Sequence, residues 1–292
     1  MRFLNFGSLN IDYVYRVHEL ALPGQTVSSF SESKFFGGKG AIQSAALASS
    51  GCQVFHAGKV GKDGQACIDT LKNLGVDTHL VLTGEYKTGM AIIQVDDRGQ
   101  NSIIIASGAN KQITTPEIDL ALKEFDSDTT VLLQNETSEI GYVMRKAKEK
   151  GMKICLNPAP MDPSIRQLPL NFVDILILNE REAMGLAGGG TTREIADSLG
   201  HMLPQAEIIL TLGDKGVLYH SAKQEFYVPA AESKVIDSTG ASDAFLGYYM
   251  AAISQGKTIE ESLKIGCIAG AICVSRPGAV ESVPKKDEVE AF

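Results

Sequence analysis

The chain has 292 residues, 44% of them hydrophobic and 21% charged, which suits one large core that needs no metal or disulfide staple to fold. A formal net charge of −8 without a long Lys/Arg run argues against a nucleic-acid partner, and no stretch approaches the roughly 20 apolar residues of a membrane span. Cys52, Cys67, Cys155, Cys267 and Cys273 are scattered and form no C-x-x-C, and the opening residues are too short and polar-interrupted for a secretory leader, so free thiols in a reducing cytoplasm are expected.

In chain order, residues 3–7 predict the first core strand. Residues 13–17, 26–36, 89–95 and 102–106 also read as strands, several with alternating polar and apolar residues, the mark of a sheet with one wet face. The turn Asp96-Asp97-Arg98-Gly99 fits a hairpin between two of them. Helical patterns near 39–50 and 63–74 interrupt this region. The expectation is a small β-sheet lid, formed by about 11–36 and 88–106, on a single α/β domain spanning 1–292. An exposed lid face is open to pairing with a second lid, so a homodimer is expected.

From about 128 onward, short apolar runs at 130–134, 153–157, 174–179 and 207–212 alternate with helical stretches near 138–150, 180–187 and 192–203. Continuous apolar strands separated by helices indicate a mostly parallel sheet covered on both faces. Two Ala/Gly-rich helices follow, at 241–255 and 259–276, whose small residues permit close approach of another helix or of a flat ligand.

Open α/β sheets bind ligands outside the carboxyl ends of their strands. Those ends carry Asn10 and Asp12, Asn135 and Glu136, Asn157, Asn179 with Glu180 and Glu182, and Thr211 with Gly213 and Gly216. One polar cluster is a turn; five in succession on one edge point to an active site. Asn179 and Glu182 share a helix face at i and i+3. Glu182 suits a hydrated Mg²⁺ or simply a solvated helix start.

The segment Asp237-Ser238-Thr239-Gly240-Ala241-Ser242-Asp243-Ala244-Phe245 opens a helix with small side chains, leaving N–H groups uncovered for an anion. Asp243 in the first turn is either a helix-stabilising carboxylate or a general base beside that cradle. Gly37-Gly38-Lys39-Gly40 is a second glycine-rich turn into a helix. It lacks the Walker A spacing, and no G-x-G-x-x-G follows the first strand, which argues against a nicotinamide-dependent dehydrogenase.

Together these segments resemble the ribokinase or PfkB family of carbohydrate kinases. The likeness runs from Gly7-Ser8-Leu9-Asn10-Ile11-Asp12 to Ser282-Val283-Pro284 and includes the Gly37–Ala41 and Asp237–Phe245 signatures, Leu156-Asn157-Pro158-Ala159-Pro160, Asn179-Glu180-Arg181-Glu182 and Thr211-Leu212-Gly213-Asp214-Lys215-Gly216. The resemblance implies a three-layer α/β fold and transfer of the γ-phosphate of ATP to a hydroxyl of a small sugar, ribose first among them. It implies Asp243 as catalytic base and the amides of Gly240, Ala241, Ser242 and Asp243 as anion hole. Asn10, Asp12, Gly38, Lys39 and Glu136 match sugar positions; Asn179, Thr211, Gly213 and Gly216 match nucleotide positions. Glu182 matches a Mg²⁺ position. A monovalent cation, usually K⁺, matches Asp237 and Ser282 with backbone carbonyls near Thr239, Cys273, Arg276 and Gly278.

Two departures stand out. Ser242 occupies a usual Gly, tolerable if its backbone is helical and a lesion if its φ is positive. The latter case would leave a sugar-binding protein without catalysis. Ile42 stands where Asn is usual and cannot hydrogen-bond a sugar, which opens deoxyribose, another pentose or hexose, or a nucleoside as acceptor.

Overall fold

A computed structural model describes residues 1–292. Its strands are β1 Arg2–Phe6, β2 Asn10–Arg16, β3 Ser31–Gly37, β4 Val54–Gly61, β5 Val81–Gly84, β6 Gly89–Val95, β7 Asn101–Ala106, β8 Thr129–Gln134, β9 Lys153–Asn157, β10 Ile175–Asn179, β11 Glu207–Thr211, β12 Val217–His220 and β13 Glu225–Val228. The helices are α1 Lys39–Ser49, α2 Gln65–Asn73, α3 Thr115–Leu122, α4 Ile140–Glu149, α5 Glu180–Ala187, α6 Thr192–Met202, α7 Ala241–Ser254, α8 Ile259–Val274 and α9 Lys286–Glu290.

Nine strands form one sheet in the order β13-β12-β11-β10-β9-β8-β1-β4-β5. All pairings are parallel except β11–β12 and β12–β13. Alternate residues of each strand enter opposite cores. Phe3, Leu132, Ile177 and Ile209 join a cluster of 34 buried residues with α1, α7 and α8. Leu4, Val131, Leu178 and Ile208 join one of 32 with α3, α4, α5 and α6. Two cores of nearly equal size explain why these strands read as unbroken apolar runs: neither face is wet.

The other four strands form a separate sheet, β3-β2-β6-β7, in which β2 pairs β6 parallel and the outer pairs are antiparallel. The β6–β7 turn is the expected hairpin. Gly99 takes φ +76°, and Asp96 Oδ1 accepts from the amides of Arg98 and Gln100 at 2.9 Å each.

Three sequence readings differ from this. The strand expected over 26–36 begins only at Ser31, because β2 ends at Arg16, the partner of Ser31, and before Ser31 only the Phe30 amide bonds back, to the Arg16 carbonyl at 3.0 Å. The one-wet-face pattern holds for β6, buried at Gly89, Ala91, Ile93 and Val95, but β7 is exposed along its whole length as an edge strand. Strand β4, next to the sheet edge, also went unread, as did β5 and the β12–β13 hairpin.

Candidate active site

The site begins where α1 is pressed onto the end of β1. A Cβ on Gly40 would stand 2.3 Å from the Gly7 Cα, so only glycine permits this approach. Buried Asn5 fastens the contact, its Nδ2 donating to the Gly40 carbonyl at 2.8 Å. The Lys39 amide at the start of α1 donates to Glu136 Oε2 at 3.0 Å, and the Ser8 hydroxyl donates to the same oxygen. Burial raises the Glu136 carboxyl above the usual range, with Lys39 the main opposing influence.

Beside Glu136 lies a cavity of about 250 Å³ lined by Asn10, Asn110, Lys111, Asn135 and Asp162 among others. Asn110 Nδ2 donates to Asn10 Oδ1 at 2.8 Å, and Lys111 Nζ donates to the Thr137 carbonyl at 2.8 Å. Asp12 sits deeper. Its Oδ1 is buried without any partner, and its Oδ2 lies where a Cβ on Gly37 would come within 2.0 Å. Burial, then Glu136, Glu281 and Asp237, push its carboxyl up to about 7.

Asp243 is held in the first turn of α7 and is 3% exposed. Its Oδ1 accepts from Gln43 Nε2 at 2.8 Å, and its Oδ2 faces Lys39 Nζ at 3.8 Å. Burial raises this carboxyl too, opposed by Lys39 and by the Gln43 hydrogen bond. Gly240, at φ +77°, turns the chain into the helix. The Gly240, Ser242 and Asp243 amides have no acceptor within the protein, and the Ala241 amide has only a long 3.5 Å contact to the Ser238 carbonyl. Ser242 lies inside the helical segment, so its side chain imposes no positive-φ strain and its amide points along the helix start. Ile42 is buried beneath this turn, two of its carbons 3.3 Å from where a Cβ on Gly240 would stand.

A groove of about 730 Å³ opens on the other side of α7. Asn179, Thr211, Gly213 and Gly216 line it from the sheet edge, and Ser242 marks its end at the anion cradle. Gly266 and Gly270 line it from α8, and both also press on α7: a Cβ would meet Phe245 at 2.7 Å from Gly266 and the Ala241 carbonyl at 3.3 Å from Gly270. The small residues of α8 therefore serve helix contact and groove floor together. Glu182 and Asn179 form a reciprocal cap, with Asn179 N and Nδ2 each donating to Glu182 at 2.9 Å. Glu182 is not on the groove wall. Its carboxylate keeps free lone pairs, and burial raises it above the usual range.

The expected cation ligands also converge. Asp237 accepts from the Thr239 and Gly278 amides at 3.0 and 3.4 Å. The Cys273 thiol lies 3.6 Å from the Thr239 carbonyl and 3.1 Å from the Ser282 hydroxyl. A buried carboxylate with carbonyl and hydroxyl oxygens is a donor set that fits a hard cation. The Arg276 guanidinium pairs with Glu288 at 2.5 Å.

Sequence reasoning missed Gln43, Asn110, Lys111 and Asp162. Gln43 was findable, because it lies four residues after Lys39 on the same helix face. Asn110 follows the last strand of the small sheet at a glycine turn. Lys111 and Asp162 carry no comparable local signal.

The pfkB family carbohydrate kinase pattern matches residues 3–286. The chain is 32% identical to a ribokinase of Haemophilus influenzae over 98% of its own length and 96% of that protein's. A ribokinase of Cryptococcus neoformans in complex with ADP superposes with a TM-score of 0.88 at 32% identity, covering 99% of both chains. A ribokinase of Arabidopsis thaliana complexed with ribose and ATP gives a TM-score of 0.86 at 28% identity, covering 99% of this chain and 97% of that one. The chain belongs to the pfkB family of carbohydrate kinases.

Proposed function

We propose that the protein transfers the γ-phosphate of ATP to a hydroxyl of a small sugar, ribose foremost, giving ribose 5-phosphate. One arrangement carries this reading. Asp243 follows Ser242 of the long groove and faces Lys39, whose amide bonds Glu136 of a polar cavity of sugar size, and it lies beside amides with no acceptor of their own.

The sugar occupies the cavity of Asn10, Glu136 and Asn110, with Asp12, Gly38 and Lys39 behind it. ATP lies along Asn179, Thr211, Gly213 and Gly216, its γ-phosphate at the start of α7. Asp243 Oδ2 takes the proton as the acceptor hydroxyl attacks. The amides of Gly240, Ala241, Ser242 and Asp243 receive the charge on the transferring group. Mg²⁺ held through water by Glu182 would neutralise phosphate charge. K⁺ at Asp237, Ser282 and the carbonyls near Thr239, Cys273, Arg276 and Gly278 would brace the same loop. The four-stranded sheet acts as a lid over the cavity and excludes water as a competing acceptor.

A second copy covers β7, where Ile104 is 63% exposed on an edge strand flanked by exposed Ile103 and Ile105. The expected species is a dimer by light scattering, reduced to monomer by Ile104→Lys; unchanged mass in that variant refutes the lid as interface. Free cysteines agree with a cytoplasmic setting, and no helix is long and apolar enough to cross a membrane.

Ile42 favours one competing acceptor. Buried under the Gly240 turn and on the wall of neither the cavity nor the groove, it offers no hydrogen bond to a sugar hydroxyl. Without such a partner a sugar lacking a hydroxyl is rejected only weakly, so 2-deoxyribose is the rival. A coupled ATP-consumption assay over ribose, deoxyribose, fructose and nucleosides, with and without K⁺, decides. The expected result is the highest kcat/KM for ribose and activation by K⁺. A higher value for deoxyribose or a nucleoside reassigns the substrate, and ATP turnover with none of them refutes the reading.

A further inference from the structure

We propose that Gln43 is a positioning residue for phosphoryl transfer: its side-chain amide ties down one oxygen of Asp243, so that the other faces Lys39 and the acceptor hydroxyl. The inference rests on the reading of Asp243 as the base.

Gln43 is fully buried on α1 and lines neither the cavity nor the groove. Both hydrogens of its amide are used: Nε2 donates to Asp243 Oδ1 at 2.8 Å and to Asn157 Oδ1 at 3.3 Å. The direction of that amide is dictated from two sides. Asn157 Nδ2 donates to the Ile177 carbonyl at 2.9 Å, which fixes Asn157 Oδ1 as an acceptor. On the other side, Asn5 Nδ2 donates to the Gly40 carbonyl at 2.8 Å, so Asn5 Oδ1 must accept from Gln134 Nε2, at 3.0 Å. Gln134 Nε2 then also donates to Gln43 Oε1, at 2.7 Å. A backbone carbonyl only accepts, so each amide in the row has one permitted orientation.

The row carries a cost that a purely structural network would avoid. Gln134 Oε1 is buried with no partner, because both of its useful contacts are made by the nitrogen. Turning Gln134 over would set its oxygen against Asn5 Oδ1 and Gln43 Oε1, and Gln43 would lose the contact that keeps its N–H groups toward Asp243. An orphaned buried acceptor is rare in native proteins. Here it is the price of a donor aimed at the carboxylate.

The consequence for chemistry is angular. With Oδ1 held, Asp243 cannot swing about its χ2 axis, and Oδ2 stays toward Lys39 Nζ. A base within reach but misaligned loses much of its advantage. The groups facing Asp243 are Lys39 from α1, Glu136 after β8, Glu182 from α5 and Cys273 from α8. None of them can replace the Gln43 donor at Oδ1.

The test is the acid limb of kcat/KM, where activity falls as Asp243 takes a proton. Gln43 stabilises the ionised form, so its removal moves the limb to higher pH. Gln43→Met should shift it up by about one pH unit, the size of one hydrogen bond to a charged group. Its kcat near neutrality should fall on the order of tenfold while KM for sugar and ATP changes little. Gln43→Glu places a second carboxylate there and should shift the limb further in the same direction. An unmoved limb in both variants, whatever their loss of Tm, overturns the proposal. Should neither variant fold, wild-type protein labelled with ¹⁵N-glutamine serves instead. The Gln43 side-chain amide must then titrate with the midpoint of the acid limb, and a flat Gln43 signal across that range overturns it. Failure of the base reading is separable: Asp243→Asn with near-normal turnover removes the base itself, whereas an inactive Asp243→Asn with an unmoved Gln43 limb removes only the clamp.

Discussion

Asp243 and Asp12 are both buried carboxyls, yet their surroundings differ in the one respect that matters for a base. Asp243 has a hydrogen-bond donor on Oδ1 and an ammonium near Oδ2; Asp12 has an orphaned oxygen and three acidic neighbours. Asp243→Asn keeps the shape and the Gln43 contact but accepts no proton, so kcat should drop by at least about 10²-fold with an unchanged circular dichroism spectrum. Near-normal turnover would rule out the base assignment. For Asp12 the carboxyl is raised from 3.8 to about 7, so the folded chain holds a proton that the unfolded chain releases across that window. Stability therefore falls as pH rises through it. Asp12→Asn should have a higher Tm than wild type at pH 8, a gap that closes toward pH 4, while KM for the sugar rises. A Tm at pH 8 no higher than wild type's would contradict a strained carboxylate there.

The elements that bear the site are two glycine turns, each setting a helix start at a strand-end edge. At Gly240 the positive φ and the nearby Ile42 leave no place for a side chain. Gly240→Ala incurs left-handed strain of about 1–2 kcal/mol, or a Tm loss of about 2–8 °C. It should lower kcat more than KM, because it disturbs the amides and not the cavity; a KM-only effect would separate that turn from the phosphate. These starts were readable because small residues before an apolar helix allow close approach, of the β1 end at Gly40 and of an anion at the Gly240 turn. The strands buried on both faces were readable as apolar runs. Strand β4 escaped because His56, Gly58, Lys59 and Gly61 interrupt its hydrophobic residues. Those interruptions belong to packing: a Cβ on Gly58 would meet the Gly7 carbonyl at 2.8 Å. The hairpin of β12 and β13 escaped because each strand has only four residues. In the site, charged and glycine positions announced themselves, whereas Gln43 was marked only by its spacing from Lys39 on α1, since a buried amide has no compositional signature and gains its meaning from what it touches.

Across the whole molecule, one buried histidine links the sheet to acid stability. His56 is wholly buried, its Nε2 donating to the Gly7 carbonyl at 3.1 Å and its Nδ1 accepting from the Ser44 hydroxyl at 2.8 Å. Burial holds it down to about 4 from 6.5. The folded chain thus keeps it neutral where the unfolded chain protonates it, and stability contributed above pH 6.5 is lost as pH falls toward 4. The loss is about 3 kcal/mol, and over nearly the same window Asp12 contributes a gain of at least that size with the opposite sign. The urea midpoint of wild type relative to that of His56→Gln should therefore drop from pH 7 to 4, and a constant difference would remove His56 from the account.

The small sheet is built from two antiparallel pairs, β2–β3 and β6–β7, far apart in sequence and joined by the parallel pairing of β2 with β6. Asn110 bolts the base of that joint: it grips the Leu9 amide through Oδ1 and the Asn10 side chain through Nδ2. The sheet is therefore a paddle with a pinned axle, and the pin is also a wall of the cavity. Any molecule that touches Asn10 or Asn110 feels the tilt of the paddle directly, without a relay through the core.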